Sequence, residues 1–237
     1  MIRADGKEPS DVAALATLRV TSSDDMARSR SLAPKPAPRP RRGSPDDTHT
    51  RLVQSAAECF NRDGYDGTDS NRIAREAGYS PGTFYKHFVD KRQIFMAVYE
   101  EWVTKEWREV SAHVAAEGTP QERAEEIVRM FLEHHRRWKG FRASLRALVS
   151  QDADVRNFYR AQRRHQLGLL EGIRSTLGDE GSREADALLL YSLERTSDAI
   201  AEGEPEALHV SAEGLRALLV DLVRARLSTK PKGRDTK

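Results

Sequence analysis

The sequence predicts an all-α protein, with a compact N-terminal helix-turn-helix unit and a larger helical domain behind it. Three observations carry that prediction. From Leu52 to Leu227 apolar residues recur at helical spacing, and no strand-like alternation is sustained. Helix starts and stops are written out in capping residues and breakers, as at Ser80-Pro81, Asp63-Gly64 and Gly203-Glu204-Pro205. Finally, Asn71 to Lys91 reads NRIAREAGYSPGTFYKHFVDK, two short helices meeting at a tight Gly-Tyr-Ser-Pro-Gly bend.

Taken in order, residues 1–46 read as a basic, proline-rich arm. Its densest part, Ala33 to Gly43, carries repeated prolines that favour extended geometry and remove backbone donors. Arg39, Arg41 and Arg42 fit a solvated linker, or an arm that reaches phosphates or a minor groove. Asp46-Asp47-Thr48 has N-cap chemistry, and Leu52, Val53, Ala56, Ala57 and Phe60 follow as one apolar stripe. A second helix is expected from Asp69-Ser70 to Gly78, and a third over Pro81–Phe88, capped by Ser80 with Pro81 at its first position. Asp90 caps a fourth, with Gln93 placed for a capping box. Further helices are expected over 121–138, 141–149, 154–177, 185–201 and 206–227, with a frayed basic tail over 229–237. The domain expectation is a head over 47–93 and a helical body over 94–228.

Composition narrows the function classes. With 237 residues and a net charge of +2, the chain is long enough for a real core and is no polycation, so any nucleic-acid surface must be local. The single cysteine, Cys59, excludes an internal disulfide framework and a cysteine-based zinc site. Apolar runs fall far short of the ~20 residues a bilayer needs, and no secretory signal is legible, so a cytoplasmic protein without membrane contact is expected. There is no glycine-rich phosphate loop, HExxH or GxSxG, which argues against an enzyme.

The segment Val53–Val98 resembles the DNA-binding domain of TetR-family transcriptional regulators. The matching residues are Ala56-Ala57, Phe60, Gly64, Gly67-Thr68, Ile73-Ala74, Ala77-Gly78, Ser80, Gly82-Thr83-Phe84-Tyr85, His87-Phe88 and Lys91. Two departures are Ser70, where the family usually has an apolar residue, and the long N-terminal arm. The resemblance implies a sequence-specific DNA-binding regulator, a repressor released from a near-palindromic double-stranded operator by a small-molecule inducer, with no cofactor. A rival reading is a DNA-binding dimer without ligand, whose helical half serves protein interaction only.

Physically, Phe84 and Phe88 hold the third helix while its other faces stay polar. Gly82 permits close backbone approach, Thr83 offers a hydroxyl and a methyl, and Lys86 reaches a base edge or the backbone. Tyr85 and His87 suit phosphate, Ser80 and Pro81 lie at the helix start, and Asn71 on the second helix suits a base edge. Lys91 resembles the family's phosphate-contacting lysine. Arg51, Arg72, Arg75 and Arg92 read as ordinary solvated-face residues.

The resemblance also implies a homodimer built by the last two long helices. Leu215, Leu218, Leu219, Leu222 and Val223 form a stripe for it, or for packing inside one subunit. Candidate pocket residues in the body are Trp102, Phe131, His135, Phe141, Phe158, Gln162 and His165, with core packing as the alternative for each. The pair His134-His135 does not make a metal site, because helix neighbours point about 100° apart.

Overall fold

The structure, a computed structural model, describes residues 44–179 and 181–228. Ten helices follow in order among them: α1 Pro45–Asp63, α2 Ser70–Glu76, α3 Pro81–Phe84, α4 Lys91–Ala115, α5 Pro120–Arg137, α6 Lys139–Gln151, α7 Ala153–Leu177, α8 Arg183–Glu202, α9 Glu204–Ala207 and α10 Ala212–Leu227. No strand occurs among the described residues. The expected arm, with Arg39, Arg41 and Arg42, and the tail over 229–237 lie outside the described residues, save for residues 44–46.

Helix α1 starts earlier than the Asp46-Asp47-Thr48 expectation. Ser44 is the N-cap, Pro45 takes the first position, and Asp47 closes a capping box by accepting from the Ser44 N–H at 3.0 Å. The acid read as a cap is therefore the third residue of the first turn, beside the positive helix end. Thr119 and Glu122 build a second box at the start of α5. At α4 the box is altered: Asp90 accepts from Gln93 N, but the Gln93 side chain turns to Val89 N at 2.6 Å. The helix expected over 206–227 is two, because the chain turns through His209 at φ 55° and Ser211 caps afresh at Gly214 N.

The head packs α1, α2, α3 and the start of α4 around Leu52, Phe60, Ile73, Phe84, Phe88 and Phe95, all buried. Phe60 meets Phe95 edge-on at 5.0 Å, and Phe95 stacks on Phe141 of α6 at 4.6 Å. The head core thus runs without a break into the body. Cys59 packs within it, and burial together with neighbouring Glu76 pushes its thiol up to about 11, so it stays protonated and inert.

In the body α5 lies against α8 and α10, with Phe131, Leu190, Leu219 and Val223 buried between them. Its centre is not apolar, however. Arg142 of α6 and Asp198 and Glu194 of α8 are all about 5% exposed or less. No helix among the described residues is long and apolar enough to cross a membrane.

Candidate nucleic-acid interface

The turn between α2 and α3 is fixed by local chemistry. Gly78 takes φ 82°, a conformation that side chains resist, and Tyr79 N bonds back to Ala74 O at 2.8 Å. Ser80 is the N-cap by position, but its hydroxyl pairs with the Thr83 hydroxyl at 3.1 Å and caps no backbone N–H. The regular helix then ends at Phe84 and not at Phe88. Lys86 N and His87 N bond to the carbonyls three residues back, at 3.2 and 2.9 Å, so the segment tightens into turns. Four helical residues carry little dipole, so the interface rests on side chains and close approach more than on the helix end.

Phe84 and Phe88 point inward and Tyr85, Lys86, Gly82, Pro81, Ser80 and Asn71 are exposed. A shallow open basin gathers Asn71, Tyr85 and Lys91 with Thr68, Ser70 and Arg75. Tyr85 is 57% exposed, with its ring edge-on to Phe84 at 5.3 Å. Lys91 is also tied to the head: its ammonium donates to the Tyr65 carbonyl at 2.7 Å and sits 4.0 Å over that ring. His87 lies apart from the basin, half-buried and 6.2 Å from the His49 ring. Asp69 caps α2 through Arg72 N, so Ser70 does not loosen the helix start and instead lines the basin.

The arginines of the head sort themselves by partner. Arg62 and Arg72 share Asp63 and Glu76, and Arg92 holds Asp152 and Asp154. Arg75 forms no ion pair with a described residue and is exposed at the basin edge. Sequence pattern groups it with the ordinary arginines; its place opposite Lys91 is a matter of tertiary structure.

Residues 52–98 match the model for bacterial regulatory proteins of the tetR family. The HTH-type transcriptional repressor AcnR of Corynebacterium efficiens is 29% identical over 188 residues, which cover 76% of this chain and 92% of that protein. Among solved structures, a transcriptional regulator from Rhodococcus sp. Rha1 superposes with TM-score 0.60 at 22% identity, covering 80% of this chain and 99% of that one. The regulator FadR from Bacillus subtilis, solved in complex with stearoyl-CoA, superposes with TM-score 0.56 at 16% identity over 76% of this chain and 98% of its own. The chain carries a tetR-type DNA-binding domain over residues 52–98. It is accordingly a DNA-binding transcriptional regulator, and the face just described is where the family match falls.

A joint ties this regulator's head to its body. Asn61 of α1 donates to the Arg137 carbonyl at 2.8 Å and accepts from Gly140 N and Phe141 N at 3.0 and 3.2 Å. Trp138, at the start of α6, offers no side-chain cap, so Asn61 caps that helix from another element. A Cβ at Gly140 would collide with the Asn61 carbonyl, which explains the glycine inside α6.

The candidate pocket residues of the body do not form one site. Phe131 lines an apolar cavity among α4, α5, α7, α8 and α10, while Trp102 and Phe141 line a separate groove beside α1. Phe158 packs 6.3 Å from the Tyr99 ring, and Gln162 is half-buried on α7. His165 is exposed to solvent, which removes it from any pocket. Its neighbour Gln166 is the fully buried one, because adjacent positions on a helix point about 100° apart. His135 is fully buried, with Nδ1 2.8 Å from Asp198, whereas His134 faces Glu106 and Glu109.

Sequence pattern does not show the partners of His135. Arg142 grips Asp198 through two bonds of 2.5 and 2.9 Å, Arg146 joins at 2.9 Å, and Arg163 pairs with Glu194. Burial opposes the Asp198 charge, but the bonds from His135 and Arg142 win and hold its carboxyl well below the usual range. Glu194 is held low in the same way, with Arg163 and Arg142 outweighing its burial. The available signal is Glu194 and Asp198, four residues apart on the apolar face of Leu190.

The expected dimer stripe also divides. Leu219 and Val223 are buried inside the subunit and so cannot meet a partner, and Leu215 and Leu222 are half-buried. Leu218 is 66% exposed. Leu188 and Tyr191 on α8 are exposed large residues that the sequence expectation leaves out.

Proposed function

We propose that the protein is a homodimeric repressor whose two heads grip a near-palindromic operator and release it when a small molecule binds the body. The proposed DNA face comprises Asn71, Ser80, Pro81, Gly82, Thr83, Tyr85, Lys86, His87 and Lys91, with Arg75 added. The observation that carries the reading is Gly82. A Cβ there would meet nothing closer than the Ser80 hydroxyl at 3.9 Å, and its φ is ordinary, so the protein's own packing does not require glycine. A surface that keeps a bare backbone for no internal reason, flanked by an exposed tyrosine and basic groups, suits approach by a nucleic acid.

Dimerisation through the outer face of α8 and α10 fits the exposure of Leu188, Tyr191 and Leu218. Two heads about 34–36 Å apart would then meet successive major grooves. Helix α4 supports the link to a ligand. It is one unbroken helix of 25 residues, about 37 Å long. Lys91 at its start lines the basin, and Trp107, Val110 and Val114 near its end line the body cavity. A ligand that moves the far end moves the head, and release follows if it binds the displaced arrangement more tightly. FadR, with its stearoyl-CoA, supports a ligand-responsive body by likeness of fold. We place the regulator in the cytoplasm, where its operator would be.

The test is operator binding by Tyr85→Ala and Arg75→Ala on a duplex recovered by selection. The tyrosine variant is expected to lose affinity by more than tenfold at unchanged helicity. The arginine variant is expected to reduce the salt slope by about one charge. Undiminished binding by both would remove the assignment. Sedimentation of Leu218→Glu checks the dimer face, with a monomer expected.

A further inference from the structure

Lys91 opens helix α4 against the helix dipole. The first turn of α4 holds Lys91 and Arg92 and no acidic residue, although the positive end of a helix favours anions. Arg92 is paired with Asp152 at 3.3 Å and Asp154 at 2.8 Å. Lys91 forms no ion pair with a described residue, and its ammonium meets two neutral groups of one tyrosine. It donates to the Tyr65 carbonyl at 2.7 Å and stands 4.0 Å from the centre of that ring. An ammonium has three N–H groups and the carbonyl takes one, so the charge is steered without being cancelled.

Tyr65 is itself held from several sides. Its ring stacks on Phe60 at 5.7 Å and lies edge-on to Phe95 at 5.2 Å. Its carbonyl also accepts from Thr68 N at 3.3 Å, and its own N–H donates to the Ser144 hydroxyl at 3.0 Å. Gly64, with φ 74°, turns the chain out of α1 directly before it. Ser144 belongs to α6, so one support of Tyr65 comes from the body. A residue backed in this way can hold a neighbour still.

Stillness matters for a lysine. Its side chain is among those that lose most rotamer freedom when fixed, and a phosphate contact has to fix it. An ammonium placed before DNA arrives meets phosphate with that loss reduced. We propose that Tyr65 is the positioning residue for Lys91 at the DNA face, and that Ser144 sets Tyr65 in place for that task. Tyr65 acts through the ammonium and does not itself touch DNA. The proposal rests on the reading of Lys91 as a phosphate contact given above.

The experiment measures operator affinity of the full-length protein over a range of salt concentrations, on the duplex recovered by selection. Tyr65→Leu, Tyr65→Phe and Ser144→Ala are each made in the otherwise unaltered chain and together with Lys91→Ala. Lys91→Ala alone is expected to weaken binding about tenfold and to lower the salt slope by about one charge. Tyr65→Leu should weaken it about fivefold beside Lys91, and less than about twofold once Lys91 is gone. Tyr65→Phe keeps both the ring and the carbonyl, and should bind as the unaltered protein does. Ser144→Ala, a milder change should Tyr65→Leu fail to fold, is expected to cost about threefold, again only with Lys91 present. In the DNA-free protein the Lys91 side-chain proton resonances should be shifted upfield by the Tyr65 ring, a shift kept in Tyr65→Phe and lost in Tyr65→Leu. Absence of that shift overturns the proposal. Equal losses for Tyr65→Leu and Ser144→Ala with and without Lys91 would leave Lys91 as a contact but reduce Tyr65 to head packing, which also overturns it. Unchanged affinity and salt slope in Lys91→Ala would remove the phosphate reading, and the proposal with it.

Discussion

The head and the body of this molecule are held together by different physics. The head core holds no buried charge among the described residues: Leu52, Phe60, Ile73, Phe84 and Phe88 pack together, and the buried polar residues beside them, Thr48, Ser55 and Thr68, are neutral. The body centre is built around Arg142, Arg163, Glu194, Asp198 and His135, buried and paired across α5, α6, α7 and α8. Apolar burial is non-directional and indifferent to pH, which suits a head that must present one unchanging face to DNA. Ion pairs are directional and can be exchanged, which suits the region where helices are proposed to shift. Stability and responsiveness are thus assigned to separate parts of one continuous core.

That contrast is tested most severely at Asp198. Asp198→Ala leaves Arg142 buried without its main partner and is expected to cost about 3–5 kcal/mol in denaturant unfolding. The paired replacement Arg142→Met with Asp198→Leu should recover part of that loss, because the two opposite charges go together while His135 and Glu194 each lose one partner. A loss of under about 1 kcal/mol for the single variant would mean that the network does not hold the body.

Acid should separate the two cores next. The Asp198 and Glu194 carboxyls have folded values below their unfolded ones. Their contribution is therefore present above the ordinary carboxylate range and lost as pH falls through the folded values, beginning below about pH 4. Melting temperature should fall on that limb, and Asp198→Asn should flatten it while lowering stability at neutral pH. An acid limb of unchanged slope in that variant would place the titrating groups elsewhere.

Between the regions, Asn61→Ala removes three hydrogen bonds and the cap of α6. A loss of about 1–3 kcal/mol is expected. Hydrogen exchange should accelerate at Gly140 and Phe141, whose N–H groups it holds, and not at Phe84. Uniform acceleration would mean that the joint is no local cap.

The head is legible in the sequence and the body only in outline, for reasons this contrast explains. Ile73, Phe84 and Phe88 sit at helical spacing between capping residues, so local pattern carries the head fold. The departures there are local too: the third helix stops at Phe84, and His87 turns toward His49 instead of the basin. In the body, pattern locates the helices but does not say which way a polar residue on a stripe points. Hence the pocket expectation falls on His165 where Gln166 is the buried residue, and the outer-face expectation falls on the buried Leu219 and Val223. Arg142 and Asp198 are 56 residues apart, and nothing local announces their pairing. Arg75 escapes for the same reason, since its lack of an ion pair among the described residues emerges only once Arg62 and Arg72 have taken Asp63 and Glu76.

The smallest effect on stability belongs to Gly82, and its sign is what matters. Gly67 and Gly140 cannot take a side chain, because a Cβ would run into the carbonyls of Asp63 and Asn61. Gly82 has open space and helical backbone, so Gly82→Ala should raise stability by up to about 1 kcal/mol through helix propensity and a less disordered unfolded chain. If the bare backbone is kept for DNA, the same variant should bind operator at least tenfold more weakly despite folding better. A more stable protein with undiminished operator binding would show that the nucleic acid does not come close at Gly82. The interface would then have to be centred on the basin of Asn71, Arg75, Tyr85 and Lys91, and the tyrosine would become the residue on which the assignment stands.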